Sequence, residues 1–303
     1  MKILIIGLGS IAKKHIEILK NLNQSFIFYA LRSKKDSVKH KGVLNIYSFS
    51  EIKNHSFYFA IISSPSFLHK EHLIKIVELN IPILIEKPLC ISKKQLNEIE
   101  KIKTSSIIYL GYNLRFHPLI IFMKEYLKKN TPKVLEINAY CGSYLPSWRK
   151  SNHKSNYSSY KKQGGGVFLD LSHEMDYIFY LFETPKKINK KLKKVTDITH
   201  DTEDFAHIYM NYKKFFVSIV LNYYRRDKKR TLEIVTDKNT LMVDFIKGNI
   251  KDLLSNTILY RSKEDLMLLS YENQIKYWLT CIEKNNVPTN SLEEAIINSK
   301  LIL

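Results

Sequence analysis

The sequence predicts an α/β protein of two domains, a doubly wound parallel sheet followed by an α/β domain with a large open, mostly antiparallel sheet. Three observations predict this architecture. Short apolar runs alternate with helical spacing through the first third of the chain, a glycine-rich turn follows the first run, and alternating strand patterns dominate after residue 118. We therefore expect one domain over residues 1–118 and a second over residues 119–303.

Five apolar runs in the first third predict the buried strands of the parallel sheet. Between them, residues 11–22 and 69–79 repeat apolar side chains at helical spacing, and Ser92 with Gln95 forms a capping box that opens a third helix. Strands that alternate with helices imply right-handed crossovers and a sheet covered on both faces. The strands are KILIIG (2–7), FIFYAL (26–31), FYFAIIS (57–63), IPILIE (81–86) and SIIYLGY (106–112).

The pattern changes after Pro118, where one helix and a strand precede a polar, aromatic loop over residues 143–163. A glycine triplet then opens one continuous helix over residues 167–182. Four alternating strands follow, and we expect them to pair as hairpins, with the charged run RRDKKR (225–230) as a hairpin turn. The strands of this part are 133–142, 204–212, 215–224, 231–237 and 240–245, and two helices, 271–284 and 291–303, close the chain, the second opened by a capping box of Ser291 and Glu294.

The composition is that of a globular protein with a strongly basic surface. Lys and Arg number 48 against 29 Asp and Glu, a formal net charge of +19, but the lysines are spread along the whole chain. A spread of this kind indicates a solvated surface, with anionic small ligands as the second interpretation. We therefore expect a small-molecule substrate and no nucleic-acid partner.

The cysteines and the apolar runs predict the cellular compartment of the protein. Cys90, Cys141 and Cys281 are far apart and odd in number, which argues against a disulfide framework and favours a reducing compartment. No apolar run is long enough to span a bilayer, and the apolar start lacks a cleavage-like site. We expect a cytoplasmic protein without a membrane partner. No Cys/His cluster and no H-E-x-x-H pattern predicts a metal site.

The turn GLGSIA after the first strand predicts a dinucleotide site of the Rossmann type. Gly7 permits the tight turn, Gly9 lets the backbone approach a pyrophosphate, and Ala12 allows the helix to pack closely on the strand. The backbone N–H groups at the helix start, around Ser10 and Ile11, are free to bind phosphate. The alternative is an ordinary glycine turn, but strand, helix and second strand fall where the dinucleotide motif requires them.

The end of the second strand bears on the choice between NAD and NADP. The segment ALRSKK has no carboxylate for the ribose hydroxyls before Asp36. Arg32 and Ser33, with Lys34 as a further candidate, have the chemistry to hold a 2′-phosphate instead, which favours NADP over NAD. The alternative is that Arg32 stacks on adenine, which either cofactor would allow.

Five motifs occur in the order seen in the Gfo/Idh/MocA oxidoreductase family, which the sequence resembles. They are GLGSIA, ISSPSFLH, IEKP, GYNLRFHP and GGGVFLDLSHEMD. The resemblance implies a Rossmann domain, a C-terminal α/β domain whose open sheet often makes oligomer contacts, and NAD(P)-dependent oxidation or reduction of a sugar, a sugar derivative or a cyclitol. We therefore expect a homo-oligomer, a dimer or tetramer.

Lys87 of the IEKP motif is the first candidate catalytic residue. It follows a buried strand, at the edge where doubly wound sheets bind ligands, and the resemblance implies a place between nicotinamide and substrate. Glu86 would offset its charge or orient it, and Pro88 fixes the next backbone bond, whose cis or trans state the sequence leaves open. The alternative is a lysine at a strand end that extends into water.

The GGG segment supplies the second set of candidates. Asp170, His173 and Asp176 are spaced by three residues and would share one face of a continuous helix. His173 is the expected general base because imidazole titrates near neutral pH, and the alternative is a histidine satisfied in the core. The resemblance implies an aspartate four residues before the histidine, whereas Asp170 lies three before it. Asp176 is expected either to orient His173 or to cap local structure.

The substrate and the rest of the cofactor contacts are expected from other segments. The resemblance places Ser64, Pro65 and His69 near the cofactor, with Glu86 and Lys87 beside them. Aromatic faces stack on sugars and Arg binds anions, so the 143–163 loop suits a polyhydroxylated or phosphate-bearing ligand, unless it is a surface loop with aromatic packing. The expected substrate contacts are Lys87, Arg115, Tyr144, Trp148, Arg149, Tyr157 and His173.

The predicted activity is a reversible hydride transfer between nicotinamide and a sugar or nucleotide-sugar carbon. His173, assisted by Lys87, would exchange the hydroxyl proton, and the protein would make glycan or surface-polysaccharide precursors. The alternatives are an inositol-type cyclitol dehydrogenase and a regulator that binds dinucleotides without turnover.

Overall fold

The computed structural model describes residues 1–33, 38–148 and 156–303, and these form two compact units. The first unit consists of Met1–Tyr112 and Tyr271–Leu303, and the second of Asn113–Ser270. The predicted fold class, a Rossmann sheet plus a second, mostly antiparallel sheet, is confirmed.

The sheet of the first unit has six parallel strands in the order β3-β2-β1-β4-β5-β6. All residues of β4, β5 and β6 are buried, because helices cover both faces of the sheet. The order reverses between β1 and β4, which is where doubly wound sheets bind ligands. The strands are β1 (Lys2–Ile6), β2 (Ile27–Leu31), β3 (Val43–Ile46), β4 (Phe59–Ile62), β5 (Ile83–Glu86) and β6 (Ile108–Gly111).

Serine side chains cap the starts of α2, α4 and α9 in this unit. Ser92 Oγ accepts from the backbone N–H of Gln95, as predicted, while Gln95 Oε1 accepts from Ile91 N–H rather than from that of Ser92 itself. The helices are α1 (Ser10–Leu22), α2 (Phe49–Ile52), α3 (His69–Val77), α4 (Lys93–Ile99), the second half of α8 (Leu266–Glu283) and α9 (Leu292–Ile302).

The C-terminal helices belong to the first unit, whereas the sequence-based division placed them with the second. Helix α9 packs on α4 and β6, and the Asn290 side chain donates to the Leu110 carbonyl at 2.9 Å. Trp278 is fully buried and stacks on Tyr109 of β6. The burial of these apolar groups explains the assignment, and the first boundary also shifts from residue 118 to residue 112.

The second unit contains an eight-stranded sheet in the order β14-β13-β12-β11-β7-β10-β9-β8. Only the β7–β10 pair is parallel within the described residues, and the other pairs are antiparallel. The strands are β7 (Val134–Gly142), β8 (Lys187–Lys193), β9 (Phe205–Asn211), β10 (Phe216–Asn222), β11 (Lys229–Thr236), β12 (Thr240–Asp244), β13 (Asn249–Asp252) and β14 (Thr257–Arg261), and the helices are α5 (Pro118–Asn130), α6 (Val167–Asp170), α7 (His173–Phe182) and the start of α8.

The run RRDKKR is not a hairpin turn, contrary to the sequence-based prediction. Strands β10 and β11 each pair with β7 and not with each other, so residues 223–228 cross the carboxyl end of β7. We call residues 223–228 the crossover loop. Regular strand patterns on either side of a charged run are compatible with both connections, and only the pairing distinguishes them.

The predicted helix over residues 167–182 is two helices. Leu171 has φ −100° and ψ 27°, outside the helical region, and α6 ends before it while α7 begins at His173. The apolar residues at helical spacing in this segment, Val167, Leu171, Met175 and Ile178, are all buried. The break places Asp170 and His173 on different helices, so the prediction of one continuous helical face is wrong.

Candidate functional site

The glycine turn after β1 lies against the segment that follows β4. Gly7 has φ +87°, and a Cβ there would lie 2.7 Å from the Cα of Ser64, so only glycine fits without strain. Gly9 has an extended backbone, and nothing lies within 4 Å of an ideal Cβ. One glycine therefore serves the turn, and the other leaves space in front of the helix.

The start of α1 offers backbone donors beside that space. Gly9 is the N-cap, and no side chain caps the helix, so the first-turn N–H groups around Ser10 and Ile11 are not satisfied by a capping side chain. The first turn contains no acidic residue, and Ala12 is fully buried against the sheet. These residues fit a pyrophosphate, which would bind to the helix N-terminus.

Arg32 lies at the carboxyl end of β2 and is half-buried. Its Nη1 donates to the Val38 carbonyl at 3.1 Å and to Asn45 Oδ1 at 3.4 Å, and neither partner neutralises its charge. Ser33 is exposed beside it. Lys34 and Asp36, the other residues weighed for cofactor choice, lie outside the described residues.

His69 joins two loops at this edge of the sheet. Its Nδ1 lies 2.7 Å from the Pro88 carbonyl oxygen and its Nε2 lies 2.8 Å from that of Ser64. The ring is buried, and burial lowers the pKa of His69 although both carbonyls favour the charged ring. His69 therefore connects the backbone of the two loops, while Ser64 Oγ bonds His72 at 2.8 Å and Pro65 is exposed.

Lys87 is the only residue between positions 83 and 90 that is not buried. The preceding Glu86 is buried and bonds through Oε1 to Nε2 of His15, a fully buried residue of α1, at 2.7 Å. The Lys87–Pro88 peptide bond is cis. Sequence analysis missed His15, and its only sequence signal was a histidine on the buried face of the first helix.

His173, in the second unit, is likewise an accessible residue in a buried segment. His173, at the start of α7, is half-buried, whereas all the remaining residues from 170 to 179 are buried. The glycine triplet packs closely on residues 157–158 because Gly165 has no Cβ. A Cβ there would lie 2.3 Å from the Tyr157 carbonyl oxygen. The packing therefore leaves His173 as the accessible side chain of this segment.

The two predicted aspartates are both held by other residues. Asp170 Oδ2 accepts from the Tyr223 hydroxyl at 2.5 Å, and burial, then the Asp170 charge, raise the pKa of Tyr223 well above its usual value. Asp176 accepts from Arg115 at 2.7–3.1 Å through Nε and Nη2. Arg115 is 1% exposed, so it supports α7 and does not present its charge to solvent as the predicted substrate contact required.

Glu174 is a further buried carboxylate that sequence analysis missed. Its Oε1 accepts from Arg230 Nε at 2.6 Å, and Glu174 is fully buried. Burial alone would lower the pKa of Arg230, but the Glu174 charge raises it above its ordinary value. In the sequence, Arg230 is only the last residue of a charged run, and nothing there indicates that it pairs with the buried carboxylate of Glu174.

The aromatic loop after β7 is held against the crossover loop. Leu145 N–H donates to the Tyr223 carbonyl at 2.8 Å, and Trp148 meets the Tyr223 ring edge-on with centroids 5.4 Å apart. Tyr144, Trp148 and Tyr157 are half-buried, so each has an accessible surface. Arg149, the other predicted substrate contact in this loop, lies outside the described residues.

The described residues contain neither a cluster of metal-ligating side chains nor a membrane-spanning helix. In residues 1–33, 38–148 and 156–303, no group of three or more His, Cys, Asp or Glu side chains has the geometry to hold a metal ion. None of the helices in these ranges is long and apolar enough to cross a membrane.

Two family models match the chain. The model described as the oxidoreductase family with an NAD-binding Rossmann fold (GFO_IDH_MocA) matches residues 1–107. The model of the GFO/IDH/MocA C-terminal domain matches residues 132–242. Together they cover most of the chain, including β1–β5 of the first sheet and β7–β11 of the second.

Similar proteins include sugar and cyclitol dehydrogenases and a 2,7-anhydro-N-acetylneuraminate hydratase. The glucose-6-phosphate 3-dehydrogenase of Bacillus subtilis is 28% identical over 72% of this chain and 67% of its own length. The myo-inositol 2-dehydrogenase of Thermotoga maritima is 25% identical over 60% of this chain and 54% of its own length. The WlbA dehydrogenase of Chromobacterium violaceum, solved with NADH and UDP-GlcNAcA, superposes with a TM-score of 0.81 at 14% identity, over 100% of this chain and 91% of its own.

We predict that alanine affects mainly stability at Gly7 and mainly dinucleotide binding at Gly9. Gly7→Ala should lower the free energy of unfolding of the cofactor-free protein by about 1 kcal/mol or more, because of the positive φ and the contact with Ser64. Gly9→Ala should change it by less than about 0.5 kcal/mol, because its Cβ meets open space. The Gly9 variant should nonetheless bind NADH or NADPH at least about tenfold more weakly, because the methyl group occupies space that the pyrophosphate needs.

Urea unfolding followed by circular dichroism and titration of NADH and NADPH fluorescence measure the two quantities. Each variant is the control for the other, since both add one methyl group to the same turn. A Gly9 variant with wild-type affinity for both dinucleotides would contradict the assignment of this turn to the pyrophosphate.

Proposed function

The chain belongs to the Gfo/Idh/MocA oxidoreductase family, and we propose that it transfers a hydride between a nicotinamide dinucleotide and a hydroxyl or keto carbon of a sugar or nucleotide sugar. One observation carries the choice of residues. Lys87 and His173 are each the single accessible residue in an otherwise buried segment, beside carboxylates that already have partners. Accessible ionisable groups on a rigid, buried frame are suited to proton transfer.

The proposed chemistry divides between the cofactor and the side chains. Bound NAD(P)⁺ would supply the hydride acceptor. His173 accepts the proton of the substrate hydroxyl as general base and returns it in the reverse direction, and Lys87 assists this proton exchange. Tyr144 and Trp148 offer aromatic faces on which the apolar face of a sugar ring can stack.

The substrate class has two candidates within this family. The relatives named for glucose 6-phosphate and, as a fold likeness, the dehydrogenase solved with a UDP-sugar support a sugar or nucleotide sugar used for glycan or surface-polysaccharide precursors. The Thermotoga relative supports an inositol-type cyclitol equally well by identity. Turnover of myo-inositol but not of sugars would favour the second candidate.

Two further proposals concern cofactor choice and assembly. Arg32 beside Ser33, without a carboxylate partner in the described residues, supports NADP over NAD. Tyr209 and Phe216 stack on the outer face of the second sheet and are 40% and 49% exposed, which supports a homo-oligomer, a dimer or tetramer. A cytoplasmic location stays a prediction.

We expect His173→Asn and Lys87→Met each to lower kcat for an identified sugar substrate about 10²- to 10⁴-fold, the range that positioned proton transfer contributes. Dinucleotide affinity and the thermal midpoint should change little in His173→Asn, because the half-buried ring is not part of the core. Absorbance at the nicotinamide band, recorded over a panel of sugars, sugar phosphates, nucleotide sugars and myo-inositol, measures the rates.

His200→Asn and Lys213→Met are the matched controls, since both residues are exposed and lie outside the proposed site. Wild-type turnover by the His173 and Lys87 variants would show that the catalytic assignment is wrong. Tight dinucleotide binding with no turnover across the whole panel would instead favour the non-catalytic regulator.

We also predict that Arg32→Ala weakens NADPH binding about 10- to 100-fold, the loss of a charge-assisted hydrogen bond to the 2′-phosphate. NADH binding should change by less than about threefold in the same variant, because NADH has no such phosphate. Fluorescence titration of both dinucleotides measures the effect, with Lys39→Ala as a control of equal charge change. Equal losses for NADH and NADPH would indicate stacking on adenine instead.

A further inference from the structure

The crossover loop and the start of β11 carry the charged run RRDKKR, beside the aromatic loop. The crossover loop passes over the carboxyl end of β7, from Asn222 of β10 to Lys229 of β11. The aromatic loop leaves β7 at the same end, and Ser143 N–H donates to the Asn222 carbonyl at 3.2 Å. Leu145 N–H donates to the Tyr223 carbonyl at 2.8 Å, so residues 143–145 of the aromatic loop are hydrogen-bonded to the start of the crossover loop.

The ion pairs of this run leave part of its charge unneutralised. The run RRDKKR has five cations and one acid. Arg230 is taken up by buried Glu174, and Arg225 binds the only acid, Asp227, at 2.5 Å. Within the part of the chain that the structure describes, the remaining cations have no ion pair, and all are exposed: Arg226, Lys228 and Lys229.

The aromatic side chains order part of this charge. The Arg226 guanidinium lies 4.3 Å from the centroid of the Tyr144 ring, with Nη2 3.4 Å from the Tyr144 hydroxyl. Lys229 Nζ lies 5.1 Å from the centroid of the Tyr140 ring. Stacking on a ring restricts a guanidinium without neutralising its charge, so several N–H donors remain directed away from the ring.

The crossover loop is connected to the segment that carries His173. Tyr223, the first residue of the crossover loop, donates to Asp170, three residues before His173, and also contacts Trp148. A ligand bound beside Tyr144 would have Arg226 within reach of its charged group, since the guanidinium lies 4.3 Å from the centroid of that ring. A neutral sugar or cyclitol offers only uncharged hydroxyl acceptors to this group, whereas a phosphate matches the planar guanidinium in both charge and geometry.

We propose that Arg226, with Lys228 and Lys229, binds a phosphate group of the substrate, so that the substrate is a phosphorylated sugar and not a neutral sugar or cyclitol. The inference rests on the proposed function for turnover, but phosphate binding can be measured without it. A sugar monophosphate and a nucleotide diphosphate sugar present the same chemistry, and the experiment separates them.

The binding experiment uses the full chain saturated with NADH or NADPH, so that the dinucleotide site is filled. Calorimetric titrations with inorganic phosphate, pyrophosphate, glucose 6-phosphate and UDP-N-acetylglucosamine are compared with glucose and N-acetylglucosamine. We expect at least one phosphorylated probe to bind, with about 10- to 100-fold loss in Arg226→Gln and a smaller loss in Arg226→Lys. Lys213→Gln, in an exposed turn, is the control of equal charge change.

The kinetic arm compares kcat/KM for each phosphorylated sugar and its unphosphorylated partner. Arg226→Gln should lose at least about tenfold on the phosphorylated sugar alone, with the loss mainly in KM. A response to glucose 6-phosphate but not to UDP-N-acetylglucosamine identifies a monophosphate, and the reverse identifies a diphosphate.

Failures of the two proposals differ. No turnover of any sugar, with phosphate binding still lost in Arg226→Gln, overturns the proposed function and supports this site. Equal turnover of phosphorylated and neutral sugars, phosphate binding unchanged in Arg226→Gln, or binding of a DNA duplex with no small phosphate bound would each overturn the phosphate site.

Discussion

Buried carboxylates that are each bound by a dedicated partner are the constraint on which the candidate site depends. An unpaired buried charge costs several kcal/mol, so each acid fixes the element that carries its partner. Glu86 connects α1 to the strand before Lys87, and Glu174 connects α7 to β11 beside His173. Each bond fixes the backbone next to one accessible residue, Lys87 in the first unit and His173 in the second. The pairs are Glu86–His15, Asp170–Tyr223, Glu174–Arg230 and Asp176–Arg115.

The pairing of the buried carboxylates distinguishes residues that hold the structure from residues that can take part in proton transfer. Arg115 and Asp176 satisfy each other in the interior, and Asp170 is engaged by Tyr223, so three residues with catalytic-looking chemistry serve to hold α6 and α7. Lys87 and His173 differ because part of each side chain is accessible. The proposed division, with proton transfer at the accessible groups and positioning by the buried ones, follows from burial and pairing together.

Much of the first unit could be predicted from the sequence because its signals are local. Apolar runs marked the strands of the parallel sheet apart from β3, and GLGSIA marked a turn whose Gly7 conformation requires glycine. The second unit was harder because its decisive contacts are not local. The strand β8, KINKKLK, lacks an apolar alternation, and the path of the crossover loop depends on β7, about 80 residues earlier. The break at Leu171 and the partner of Arg115 likewise left no local signal.

The assignment of His173 as the general base is tested by the pH dependence of kcat/KM for substrate oxidation, measured in the wild type and in His173→Asn. A general base must be unprotonated, so the wild-type value should fall about tenfold per pH unit below the pKa of that base. The account predicts that this acid limb is lost in His173→Asn, whose residual activity should vary little over the same range. An acid limb of the same slope and midpoint in the variant would contradict the assignment of His173 as the base.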